Sequence, residues 1–102
     1  MNKFLLMLGL CKRAGKLSLG TPIVIETIQK KSAKAVFYSS DASANTEKKI
    51  KDKCAFYGVE CIKVEYTSYE LSEALGKSGS VCTVSIMDDG FLKQLMGLLN
   101  KN

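Results

Sequence analysis

Apolar residues recur at helical spacing near the start of the chain, at Phe4, Leu8 and Cys11 with Leu5 beside them, before the basic turn Lys12 and Arg13. Gly15 then ends this first helix. Lys16-Leu17-Ser18-Leu19 alternates over a short stretch that leads to Gly20. Thr21 and Pro22 read as the N-cap and first residue of a second helix, because proline lacks only an amide that goes unpaired there. That helix runs to about Lys30, with Val24, Ile25 and Ile28 inward and Ile23, Glu26 and Lys30 turned elsewhere. Ala35-Val36-Phe37-Tyr38 is a buried-type strand closed by the polar turn Ser39-Ser40-Asp41. Ser43 or Asn45 caps a third helix with Ile50, Cys54 and Tyr57 inward, and Gly58 ends it. A strand follows over Val59 to Val64. Thr67 or Ser68 caps a short helix through Tyr69, Leu71 and Leu75. After the turn Gly76-Lys77-Ser78-Gly79 comes a strand over Val81 to Met87. Asp88 and Asp89 open a last helix whose Phe91, Leu92, Leu95, Met96, Leu98 and Leu99 cover a wide apolar arc.

Helices and strands alternate with no repeat, linker or low-complexity segment between them. The pattern predicts one α/β domain over residues 1–102, a three-layer α/β/α sandwich with a small mixed central sheet and right-handed crossovers between parallel neighbours. At 102 residues the chain suits a single hydrophobic core.

Charge adds a functional direction to this frame. Residues 1–53 hold eleven basic and four acidic side chains, whereas residues 54–102 hold four and six. A basic sector on a small domain is the electrostatic footprint of a polyanion binder. The chain has no histidine, which closes the Ser-His and Cys-His dyads and histidine metal ligation. No paired acid and base and no activated nucleophile replace them. The expectation is therefore a protein that is not an enzyme, with no catalytic residues, no metal and no cofactor. Cys11, Cys54, Cys61 and Cys82 lack zinc-ligand spacing and read as small hydrophobes in a reducing compartment. Cys54 and Cys61 flank a turn near Lys53, a setting that can lower a thiol pKa. The apolar run Phe4 to Cys11 is too short to span a bilayer and carries no cleavage signal, so the expected location is cytoplasmic, without a membrane partner.

Gly76-Lys77-Ser78 imitates a phosphate-binding loop, but Leu71 stands where that motif needs its first glycine and a helix precedes it. A helix-to-strand turn is the better reading. Asp88 and Asp89 are explained by helix capping, and Lys48, Lys49, Lys51 and Lys53 chiefly by a solvated helix face. The stretch Lys12 to Thr21 carries more. Lys12, Arg13 and Lys16 surround a glycine turn that leads into a helix N-terminus with free amides, the makings of an anion site.

Arg13-Ala14-Gly15-Lys16-Leu17-Ser18-Leu19-Gly20-Thr21 resembles the R/K-x-G-K-x-x-x-G-T entry of the kink-turn-binding ribosomal protein superfamily, the L-seven-Ae and L-thirty-e type. Ala33 to Asp41 is similar to its A-K-x-V-x-x-A-x-D strand and turn, Gly58-Val59 to the segment after its central helix, and Glu70 to Gly76 to its E-L-G-x-A-x-G helix. Val81 to Ile86 matches its last strand, so the resemblance spans roughly residues 3–98 and looks closest to bacterial ribosomal-protein-like members. It implies the same sandwich fold and binding of structured RNA, ribosomal RNA above all. The implied contacts are Gly20 and Thr21 at the helix start, Lys16 and Lys30 on phosphates, and Gly79, Ser80 and Val81 against a protruding base, with Asp41 in the neighbouring turn. Lys12, Arg13 and Lys34 complete the basic set. Archetypal kink-turn binders follow the Gly-Thr pair with Asn-Glu and then place a lysine three residues on; here those positions hold Pro22, Ile23 and Glu26. The side chains that would read base edges are therefore replaced. The expected function is a non-catalytic, ribosomal or translation-associated RNA-binding protein, a monomer. The alternative is a protein-interaction module of the same fold, docking or dimerising through the apolar arc of the last helix.

Overall fold

A computed structural model describes residues 2–99. In chain order the elements are helix α1 (Lys3–Arg13), strand β1 (Leu17–Leu19), α2 (Thr21–Gln29), β2 (Ala35–Tyr38), α3 (Ala44–Tyr57), β3 (Glu60–Lys63), α4 (Ser68–Ala74), β4 (Thr83–Ile86) and α5 (Asp89–Leu99). The sheet order is β1-β4-β2-β3, with β4 antiparallel to both β1 and β2, and β2 parallel to β3. The sheet is thus mixed, and α3 supplies the crossover that a parallel pair requires.

Each face of the sheet carries its own core. On one side Phe37, Val84, Ile86 and Leu17 pack with Leu5, Leu8 and Cys11 of α1, Leu71 of α4 and Leu95 of α5. Phe4 joins them, its ring 5.5 Å and edge-on from Phe37 and stacked 5.3 Å from Tyr66. On the other side Val36 packs with Val24 and Ile28 of α2 and Ile50 and Cys54 of α3. Alternate residues of β2 thereby serve opposite faces, as a pleated strand between two helical layers demands.

The same alternation explains a polar seam inside the second face. Thr83 and Ser85 of β4 are fully buried beneath α2, where Thr27 Oγ1 donates to the Val24 carbonyl at 2.7 Å and lies 2.9 Å from Ser85 Oγ. Thr27, rather than Ile25, accompanies Val24 and Ile28 as the buried stripe of α2. Where α1 crosses α4 the approach is close: a Cβ at Gly9 would sit 3.0 Å from the Ala74 carbonyl oxygen.

Local signals match the helix ends. Ser43 accepts from the Thr46 amide at 3.2 Å, and Thr67 and Glu70 form a reciprocal capping box. Asp88 accepts from the Phe91 amide at 2.9 Å and caps α5. The strands are shorter than their hydrophobic runs. Val81 leaves the sheet because its amide turns to the Ser68 carbonyl at 3.3 Å. The arc of α5 packs onto the first core, with Leu95 buried and Phe91, Leu92, Met96, Leu98 and Leu99 half-buried against it. The apolar arc of α5 is thus used in packing onto the sheet, with Leu95 at its centre.

Burial pushes the Cys11 thiol up to about 11, and the nearby Asp88 carboxylate adds to it. Cys54 is also raised, its thiol donating toward Cys61 from a buried position. Cys61 is lowered by that contact and by the Lys51 charge, so Lys51 takes the part expected of Lys53. Among the described residues no helix is long and apolar enough to cross a membrane, and no group of three or more metal-ligating side chains forms.

Candidate nucleic-acid interface

Three segments meet at one end of the sheet. β1 delivers Gly20 there, β2 delivers Ser39 to Asp41, and the loop after α4 delivers Gly79 to Val81 on its way into β4. The Gly20 amide donates to the Thr83 carbonyl at 3.1 Å, and the Thr21 and Thr83 hydroxyl oxygens lie 3.2 Å apart. The Ser39 amide donates to the Cys82 carbonyl at 2.8 Å. The Ser68 amide and hydroxyl both donate to the Asp41 carboxylate at 2.9 Å. With Val81 on the Ser68 carbonyl, the network runs unbroken from the start of α2 to the start of α4.

This network corrects the expected cap of α2. The helix begins at Thr21, its N-cap is Gly20, and no side chain caps it. The Thr21 hydroxyl is turned to Thr83 instead of to the helix amides. Gly20 holds φ 91° and ψ 135°, a conformation that L side chains rarely adopt, and nothing lies within 4 Å of where its Cβ would be. The first turn of α2 is thus open, with its amides free of a side-chain acceptor. Pro22 and Ile23 are exposed on that turn, Ile23 by 54%.

Asp41 is held below the usual carboxylate range by the Ser39 hydroxyl beside it and then by the Ser68 amide and hydroxyl. Ser39 Oγ is buried and makes no hydrogen bond of ordinary geometry, so its influence on Asp41 is that of a nearby dipole. A carboxylate whose folded pKa is depressed contributes stability above its unfolded value, lost as pH falls through the folded one. Asp41→Asn is therefore expected to destabilise the protein at neutral pH, with the gap to the parent closing below about pH 4. Urea unfolding from pH 7 to 2 measures this; a gap constant over that range would contradict the assignment.

The basic residues take other places. Lys12 Nζ donates to the Leu75 carbonyl at 3.0 Å and ties the last turn of α1 to the C-terminal end of α4. Arg13 borders the same shallow hollow as Gly76. Lys16 precedes β1, and its carbonyl accepts from the Met87 amide at 2.9 Å. The Lys34 amide donates to the Ile86 carbonyl at 2.7 Å. Lys16 and Lys34 therefore flank the exit of β4, the opposite end of the sheet from Gly20, separated from it by the roughly 13 Å of an extended four-residue step. Lys30 lies at the C-terminal end of α2, paired with Glu26 at 3.0 Å on the exposed surface. The expected gathering of Lys12, Arg13 and Lys16 at the N-terminus of α2 does not form, and Lys30 lies at the other end of that helix. The structure has instead a glycine-and-hydroxyl pole and a basic pole.

Thr83, Ser68 and Ser39, which hold the first pole together, were not among the expected site residues. One signal for them was present, since Thr83 and Ser85 alternate with apolar residues inside an otherwise hydrophobic strand.

Comparisons with known proteins agree with this architecture. Residues 3–96 match the model of the ribosomal protein L7Ae/L30e/S12e/Gadd45 family. The chain is 39% identical to the RNA-binding protein YlxQ of Enterococcus faecium over 98 residues, covering 96% of this chain and 92% of that protein. It is 42% identical to the RNA-binding protein YlxQ of Bacillus subtilis (strain 168) over 94 residues, 92% of each. A solved structure of a protein of unknown function from Bacillus halodurans C superposes with TM-score 0.90 at 33% identity, over 99% of this chain and 100% of that one. The Giardia lamblia 15.5kD RNA binding protein shares the fold at TM-score 0.77 and 16% identity, over 93% and 82% of the two chains. By sequence and by fold, the chain belongs to the ribosomal protein L7Ae/L30e/S12e/Gadd45 family.

Proposed function

We propose that this chain is a non-catalytic RNA-binding protein of the translation apparatus that holds structured RNA, ribosomal RNA in the first place, at the glycine-and-hydroxyl pole. Its relatives in Enterococcus faecium and Bacillus subtilis bear the name RNA-binding protein. The observation that carries the reading is the hydrogen-bonded junction of Gly20, Thr21 and the 79–83 segment, which aligns the open first turn of α2 with the loop before β4. The open amides suit a phosphate, and an extruded base would meet the exposed Gly79 and Ser80 and the backbone of the buried Val81. Pro22 and Ile23 give that turn an apolar surface, so bases there are packed against rather than read by hydrogen bonds. Arg13, Lys16, Lys30 and Lys34 take phosphates farther along the RNA, and Lys12 stays with the Leu75 carbonyl at the end of α4.

The test is a mobility-shift titration with two hairpins of equal length, one kinked by an internal loop and one fully paired. Binding at least tenfold tighter to the kinked hairpin is expected, with affinity falling steeply as salt rises. Equal affinity for the two would overturn the reading.

A further inference from the structure

The C-terminal half of α3 has a surface that neither the fold nor the pole uses. Phe56 is 81% exposed, far more than the half-buried Tyr57 beside it. The two rings meet edge to face at 4.9 Å, which braces Phe56 against the body of the domain. Lys49, Lys53 and Phe56 stand at successive helical turns on one side, and with Asp52 and Tyr57 they line an open hollow of about 390 Å³. Asp52 is paired with Lys48 at 2.8 Å, and among the described residues Lys49 and Lys53 form no ion pair. The surface therefore combines a flat aromatic face with two cations that are in no ion pair among the described residues, and the one acid of the hollow, Asp52, is offset by Lys48.

We infer that this face of α3 is a second RNA contact, in which an unpaired nucleotide stacks on Phe56 while Lys49 and Lys53 hold its flanking phosphates. The chemistry is that of single-strand binding, where an aromatic face takes any base and the cations follow the backbone. Charge complementarity selects this occupant: an apolar partner helix would leave Lys49 and Lys53 desolvated and unpaired. α3 begins just beyond Asp41 and ends near Gly58, so a strand leaving the pole along this helix reaches Phe56 after roughly 20 Å, about three to four extended nucleotides. The inference rests on the RNA-binding reading, but its site is spatially separate and can fail alone.

The chain lacks tryptophan, so Phe56→Trp introduces a single reporter at the site. Titration of the full-length variant with an unpaired ten-nucleotide RNA is expected to quench its emission saturably, whereas the same RNA annealed to its complement is not. In anisotropy titrations of the labelled single strand, Phe56→Ala is expected to weaken binding roughly 5- to 100-fold, with Phe56→Trp at or above the parent. Lys49→Gln with Lys53→Gln should lower the salt slope by roughly 1.4. The tail-less kinked hairpin serves as the separate readout of the pole, and Phe56→Ala should bind it as the parent does. Absence of quenching, or equal single-strand affinity for Phe56→Ala and the parent, overturns the inference even where the hairpin binds. It is also overturned if Phe56→Ala abolishes self-association in sedimentation while leaving single-strand binding intact, because the patch is then a protein contact. Phe56 supports nothing in the core, and circular dichroism of each variant confirms that the fold is kept.

Discussion

Gly20→Val is expected to lower the melting temperature by roughly 10 °C and to weaken binding of the kinked hairpin more than tenfold. A residue forced into φ 91° without the freedom of glycine costs about 1–3 kcal/mol, and each kcal/mol moves the midpoint of a domain this size by roughly 4–8 °C. No steric clash contributes, since the space around the missing Cβ is empty. In the proposed function that empty space is where an RNA backbone would come closest to α2, so the valine is expected to obstruct the ligand as well as strain the chain. Gly58→Ala separates the two effects. Gly58 is left-handed at φ 70°, equally free of clashes, and caps α3 away from the pole. Its substitution should cost about 1 kcal/mol and leave the affinity for the tail-less hairpin unchanged well below the melting temperature. If both variants bind as tightly as the parent, Gly20 is not at the interface.

The second large effect concerns the basic pole. Lys16→Glu combined with Lys34→Glu should weaken binding to the hairpin about 100-fold at low salt and reduce the salt slope by roughly 2. The two lysines sit on either side of the β4 exit, each anchored through its own backbone to Ile86 or Met87, so in the proposed function their charges would act on the same stretch of RNA. Both side chains are exposed, and neither is in an ion pair among the described residues. The melting temperature should therefore stay close to the parent's. Affinity unchanged by the double reversal would confine binding to the glycine-and-hydroxyl pole and remove the basic pole from the interface.

Much of the fold was legible because its signals are local. The serine before α3, the Thr67 and Glu70 pair and the glycine after Tyr57 act within a few residues, and the structure uses each where the sequence places it. Thr21 failed as a cap for the opposite reason: its hydroxyl has a partner in Thr83, 62 residues away, which no local pattern displays. The ends of β4 were misjudged because Val81 takes its hydrogen bond from α4 while its side chain remains apolar and buried. The basic cluster was misplaced by reading distance along the chain as distance in space. Lys16 and Gly20 are four residues apart, but the residues between them form an extended strand, and that strand carries the two to opposite ends of the sheet. A compact loop of the same length would have kept them together.

The pairing of β1 with β4 also governs when the protein becomes competent. Leu17 lies against Ile86 and Leu19 against Val84, so the junction at Gly20 closes only after Ile86 has been synthesised and a loop of more than 60 residues has been drawn shut. Such closures are the slow part of folding. A nascent chain still emerging from the ribosome presents its basic N-terminal half early, yet its glycine-and-hydroxyl pole arises only with the last strand. On the proposed function, discrimination between RNAs therefore begins only once β4 has paired with β1.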